Sequence, residues 1–186
     1  SADVAALSAG GSATVAVLGY ADTGGRGIIA ASEDTGAFSD YVFGDGMISA
    51  VTSGAVADGS WGTLPSPDAD LGANWQAVAA AGGLDGTGVF TAESYDAMAL
   101  IILASQAARS TDRAAIQAQV LNVANAPGTE CHAGKLKECL KMISGGMPVN
   151  YVGATGVEMD AGGTANGSYA ESEVIGGAFT TVKIHK

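Results

Sequence analysis

The residues of this chain that could do chemistry are few. Cys131, His132 and Cys139 stand together in ECHAGKLKEC, and they are the chain's two cysteines and one of its two histidines. Three readings compete. A Cys131–Cys139 disulfide would close a short loop, stabilise it by roughly 2–3 kcal/mol through chain entropy, and imply an oxidising compartment. Two buried free thiols are the plainer alternative. A metal site is the third, but structural zinc takes four ligands and usually a tighter first pair, and no second Cys/His cluster exists. The spacing therefore favours the disulfide, with no metal. His132 is held beside Cys131, and His185, next to the last residue, is expected to fray, so a Ser-His-Asp triad lacks a free histidine.

Asp45 raises a different question. In VFGDG (42–46) it lies between two glycines at the end of an apolar run. It is either the polar residue of a tight turn or a carboxylate held toward something positive. The acids in SED (32–34) and DAD (68–70) read as solvated surface, and no carboxylate pair stands out for glycoside hydrolysis. GGRG (24–27) lacks the GxGxxG spacing, and neither a Walker A motif nor a GxSxG elbow occurs. No enzyme and no cofactor are expected. Trp61 and Trp75 read as core or interface anchors, and NGS (166–168) as a turn rather than a glycosylation site.

The elements that must position Asp45 follow from periodicity. ATVAVLG (13–19) is apolar and partly β-branched, which predicts a buried strand. A weak helical pattern through Ile28, Ile29 and Ala31 ends at Gly36, and DYVFG (40–44) predicts a second strand. Strand, helix, strand is a βαβ unit with parallel strands and a right-handed crossover. Ligands of open α/β sheets bind beyond the carboxyl ends of the strands. Tyr20 follows the first strand and Asp45 the second, so both are placed at one sheet edge.

Further along, WGTLP reads as an extended segment leading out of this unit, and a helix is expected over 74–81. The strongest helix is 89–110, whose apolar surface is read as Tyr95, Met98, Ile101, Ile102 and Ala104–Ser105. The next helix is expected to start with Thr111 as cap and Asp112 favouring the dipole, continuing through Ile116, Val120, Leu121 and Val123. A short amphipathic helix (135–144) stops at Gly145–Gly146. Gly-rich extended pieces and a final strand near AFTTVKI complete the chain.

Composition narrows the class. Apolar residues are 47% of the sequence and charged residues 15%, which supports a core and argues against disorder. A net charge of −11, with eight Lys and Arg, argues against nucleic-acid binding and against an anionic membrane surface. The longest apolar run, AMALIILA (97–104), is far short of the roughly 20 residues that span a bilayer. SADVAALSAGG lacks a basic n-region, so it is not read as a signal peptide.

The order of these pieces resembles the leucine/isoleucine/valine-type (type I) periplasmic solute-binding proteins of ABC transporters. LGYADTGGRGIIAASEDTGAFSDYVFGDGM is similar to the family segment in which a GY strand end precedes a helix and a strand ending in DG or EG. AESYDAMALIILASQAARSTDRAAIQAQVLNVANAPG looks like its long YDA helix and the DR-type helix after it. GGMPVNYVGATGVEMDAGGTANGSYA is similar to its G-x-x-x-x-Y-x-G-A-x-G and FD-x-x-G segments.

The resemblance implies an α/β fold with βαβ units, mostly parallel sheets and helices on both faces. The match is to the C-terminal half of a two-lobed protein, with the N-terminal half missing. Residues 1–63 would belong to the second lobe, 64–168 to the first, and 169–186 would return to the second. Tyr20 matches an aromatic lining the family's cleft, Asp45 the acid that receives the ligand's α-ammonium, with Gly46 beside it, and Phe90 an aromatic wall from the other lobe. Tyr95 and Asp96 are read as packing anchors.

Further expectations follow from the same resemblance. The function would be binding of a branched-chain amino acid or similar small amino acid or amide for an ABC permease, with no chemistry performed. The location would be periplasmic, with a signal peptide in the precursor. The alternative is the ligand-binding domain of a sensory receptor with the same fold. The chain alone is expected to bind amino acids weakly or not at all, and its exposed sheet edges favour self-association.

Overall fold

The computed structural model describes residues 2–48 and 58–186. In chain order the elements are α1 (Ala2–Ser8), β1 (Thr14–Val17), a 3-10 turn (Ala21–Thr23), α2 (Gly25–Thr35), β2 (Asp40–Phe43) and α3 (Asp45–Ile48). Then come β3 (Trp61–Pro65), α4 (Ala69–Ala81), α5 (Thr91–Ala108), α6 (Arg113–Ala124), β4 (Thr129–His132), α7 (Leu136–Ser144), β5 (Val149–Gly153), β6 (Tyr169–Ile175) and β7 (Ala178–His185). They divide into two units: residues up to Pro65 with Tyr169–His185, and Ser66–Ser168 with Lys186.

The first unit is built on a five-stranded sheet in the order β1-β2-β3-β6-β7. β1 and β2 run parallel, with Thr14 opposite Asp40 and Val17 opposite Phe43, so the expected βαβ pairing is present. α2 ends at Gly36, whose left-handed backbone (φ 62°) lets its N–H bond back to the last turn. WGTLP is β3, a full member of the sheet: it pairs parallel with β2 and antiparallel with β6. Val17, Ile29, Phe38, Tyr41, Phe43 and Met47 are buried together, and Val4 of α1, a helix not foreseen from sequence, joins them. Phe179 meets Phe43 edge to face at 5.7 Å, and the Asp58 carboxylate accepts from the Gly176 and Gly177 amides in the β6–β7 turn.

Two expectations fail in this unit. His185 is not frayed: it is the last residue of β7, opposite Tyr169, and its Nε2 lies 2.7 Å from the Glu171 carboxylate. Ser32 is not solvated surface but fully buried, its hydroxyl donating to the Ile28 carbonyl one turn back. That bond satisfies the hydroxyl without water, which lets a polar residue sit on the buried face.

The second unit packs α5, α6 and α7 against a two-stranded parallel sheet, β4 with β5. Its core is Ala99, Leu100, Leu103, Ala104, Val123, Cys131, Cys139, Val149 and Tyr151. A smaller cluster places Trp75 of α4 over Ala79, Ala92, Ala133 and Ala154, with Tyr95 packed at its side. Trp75 is thus a core anchor, and its indole N–H donates to the Gly86 carbonyl. Trp61, on β3, is 43% exposed. α4 starts at Ala69, earlier than expected, because Asp68 caps it by accepting from Leu71 N; Asp68 is a capping residue rather than plain surface.

Two corrections concern the helices of this unit. The cap of α6 is Asp112, whose carboxylate accepts from the Ala114 and Ala115 amides, not Thr111. In α5, Met98, Ile101 and Ile102 are exposed, and the buried face is Ala92, Asp96, Ala99, Leu100, Leu103 and Ala104. The helix is apolar nearly all round, so periodicity could not choose a face; Asp96, described below, chooses it. None of the described helices is long and apolar enough to cross a membrane.

Candidate functional site

At the carboxyl end of β1 the chain runs through Leu18 and Gly19 to Tyr20, whose carbonyl accepts from the Thr23 and Gly25 amides. Those bonds fix the backbone where the chain leaves the sheet and turns toward α2. The Tyr20 ring is left 67% exposed. At the carboxyl end of β2, Gly44 leads into α3, with Asp45 as its first residue.

Gly46 brings the two strand ends together. A methyl group built on it would fall 2.5 Å from the Gly19 carbonyl oxygen and 2.7 Å from Cδ1 of Tyr20. No larger residue fits there without moving the loop. A second close approach packs Gly25, at the start of α2, against the thioether of buried Met47. Tyr20, Asp45 and Gly46 therefore share the carboxyl edge of the parallel strands, where α/β sheets hold ligands. Asp45 is half-buried, and among the described residues no hydrogen bond or ion pair engages its carboxylate.

Phe90 lies in the second unit, immediately before α5. Its backbone is left-handed (φ 64°, ψ 9°), its carbonyl accepts from Ser94 N, and it is 40% exposed. A bulky residue in that conformation is strained. Glycine would fit the backbone better, so the aromatic side chain is retained against local preference.

The tightest polar cluster belongs to Asp96. Its carboxylate accepts from the Tyr151 hydroxyl at 2.7 Å, the Ala154 amide at 2.8 Å, and both the amide (2.8 Å) and hydroxyl (2.7 Å) of Thr155. Asp96 is 3% exposed and Tyr151 1%. Gly153 (φ 65°) makes the approach possible, because a Cβ there would collide with the Asp96 carboxylate. Burial, and then the neighbouring Asp96, push the Tyr151 phenol well above its usual pKa of 10.0, so it stays protonated and donates. Tyr95, one residue earlier, accepts from the Gly134 amide at 3.0 Å. Both residues thus tie α5 to the ends of β4 and β5, as a packing role requires. The YVGAT segment (151–155) is the other half of this lock: phenol, space, and two amides. The sequence signal was the buried-side spacing of Asp96 to Ala99, Leu100 and Leu103, which the apolar outer face obscured.

Cys131 and Cys139 are joined by a disulfide with Cα atoms 6.0 Å apart, both fully buried, linking β4 to α7. This is the first of the three readings of ECHAGKLKEC, and it removes both sulfurs from metal binding. His132 points away to Glu130, at 3.2 Å. No cluster of three or more His, Cys, Asp or Glu suited to a metal occurs among the described residues.

Neither a family model nor a curated protein matches the chain. Among solved structures, it is similar to a leucine-binding protein, LivK, from Thermotoga maritima, at 16% identity with a TM-score of 0.64. The match covers 98% of this chain and 47% of that one, so the chain spans about half the length of that protein. The chain has the type I periplasmic-binding-protein fold, of which it forms a half.

Proposed function

We propose that the chain is part of a solute-binding protein that captures an amino acid, or a similar small amide, and delivers it to an ABC permease in the membrane. The observation that carries this reading is Asp45. Its carboxylate is half-buried and unpartnered among the described residues, at a sheet edge bordered by an exposed aromatic ring. An ammonium group is the natural partner: a charge-assisted hydrogen bond is short and roughly twice as strong as a neutral one. The aromatic ring supplies part of an apolar wall. A branched-chain side chain suits that wall, and the periplasm suits the disulfide. In this reading Phe90 contributes a second aromatic wall, which accounts for a strained residue that glycine would replace without strain.

The protein binds and releases; nothing in its residues performs a reaction. Because the chain spans only about half of the leucine-binding protein it resembles, it holds one part of the ligand contacts. We therefore expect L-leucine to bind this chain only in the millimolar range, and Asp45→Ala to abolish that binding with the fold intact. Calorimetry is the test. Unchanged affinity in Asp45→Ala removes Asp45 from the site, and micromolar binding by the chain contradicts the partial-cleft reading.

A further inference from the structure

Leu18 is the most exposed of the large apolar side chains named in the described residues, at 82%. It stands at the carboxyl end of β1, two residues before Tyr20. Its Cδ2 would lie 3.6 Å from a methyl group built on Gly44, so it overhangs the residue just before Asp45. Tyr20 presses on Gly46, the residue just after. The carboxylate of Asp45 is thus carried on a turn whose two flanking glycines are covered by Leu18 on one side and Tyr20 on the other. A leucine so exposed adds little to the core of this unit, whose buried members are Val17, Phe43 and Met47.

Resting on the reading of Asp45 as an ammonium receptor, we infer that Leu18 is a specificity-determining residue: it selects amines that carry an apolar tail over small amines. The cation is held by Asp45 at the turn. The tail then lies along the leucine that overhangs it, where each methylene removed from water strengthens binding. Leu18 touches the part of the ligand that Asp45 does not, and its loss alters the choice between ligands more than the capture of charge.

The test uses this chain, followed by 15N NMR while methylamine or 3-methylbutylamine is added. Wild type should prefer 3-methylbutylamine on the order of tenfold, the effect of about two methylene groups leaving water. Leu18→Ser should bring the preference near unity with methylamine affinity unchanged, and Leu18→Phe should retain it. An unchanged preference in Leu18→Ser overturns the inference, as does loss of both amines in that variant with the spectrum otherwise intact. Asp45→Asn separates the two claims. If it abolishes both amines while Leu18→Ser changes nothing, the ammonium site stands and the selectivity role falls. If both amines bind Asp45→Asn as they bind wild type, or neither binds wild type, the ammonium reading falls and the inference with it.

Discussion

Asp96→Ala removes the acceptor for Tyr151, Ala154 and Thr155 at once. The Tyr151 hydroxyl and the Ala154 amide are buried, and a buried donor left without a partner costs about 1–3 kcal/mol. Thr155 is half-exposed and recovers its hydrogen bonds from water. Two orphaned donors give a loss of about 4 kcal/mol, a large share of the roughly 5–15 kcal/mol that holds a domain folded. One tryptophan lies in each unit, Trp61 in the first and Trp75 in the second, so a Trp61→Phe background lets fluorescence follow the second unit alone in urea. Hydrogen exchange should place the damage: the Ala154 and Thr155 amides lose protection while Tyr41 in the first unit keeps its own. A loss below about 1 kcal/mol, or unaltered protection at Ala154, would refute the view that Asp96 is the lock between α5 and β5.

Other perturbations test separate parts of the account. Phe90→Gly should leave stability within about 1 kcal/mol of wild type, since relief of the left-handed strain offsets the lost ring burial; a melt showing a loss above about 3 kcal/mol would place the ring in the core instead. Asp112→Ala should weaken the second unit by about 1 kcal/mol by uncapping α6, read from the same urea curve. The raised pKa of Tyr151 contributes stability that is complete below its ordinary value near 10 and is lost as pH rises toward the folded-state value. Alkaline unfolding of the second unit should therefore begin above about pH 10, and Tyr151→Phe should flatten that dependence. The Asp68 carboxyl is held below its usual range chiefly by its bond to Lys186, and next by the Leu71 amide. Its contribution is complete above the ordinary carboxylate range and lost as pH falls through the lowered value, so Lys186→Ala should move the Asp68 titration upward in 13C NMR.

Local chemistry made much of the first unit legible. The apolar run at 13–19, the glycine stop at Gly36 and the second run at 40–44 are short-range signals, and parallel pairing follows from the helix between them. The same reasoning placed Tyr20 and Asp45 at one edge, and Gly46 supplies the contact between them. Where long-range partners decide, the sequence was mute. α5 is apolar on both faces, so only the Asp96–Tyr151 bond, spanning 55 residues, reveals which face turns inward. Ser32 looked like surface because its partner, the Ile28 carbonyl, is backbone and carries no sequence signature. β4 is four residues long and holds one half of the disulfide, so the cysteine spacing drew attention to a loop and hid the strand.

The central claim is that Asp45 receives an ammonium group. Its side-chain carboxyl carbon, observed by 13C NMR while L-leucine is added to this chain, reports on that contact directly. The account predicts a saturable shift of the Asp45 resonance with L-leucine and none with isovalerate, which keeps the apolar tail and lacks the amine. An Asp45 signal that stays still at saturating L-leucine, or one that moves equally with isovalerate, would contradict it.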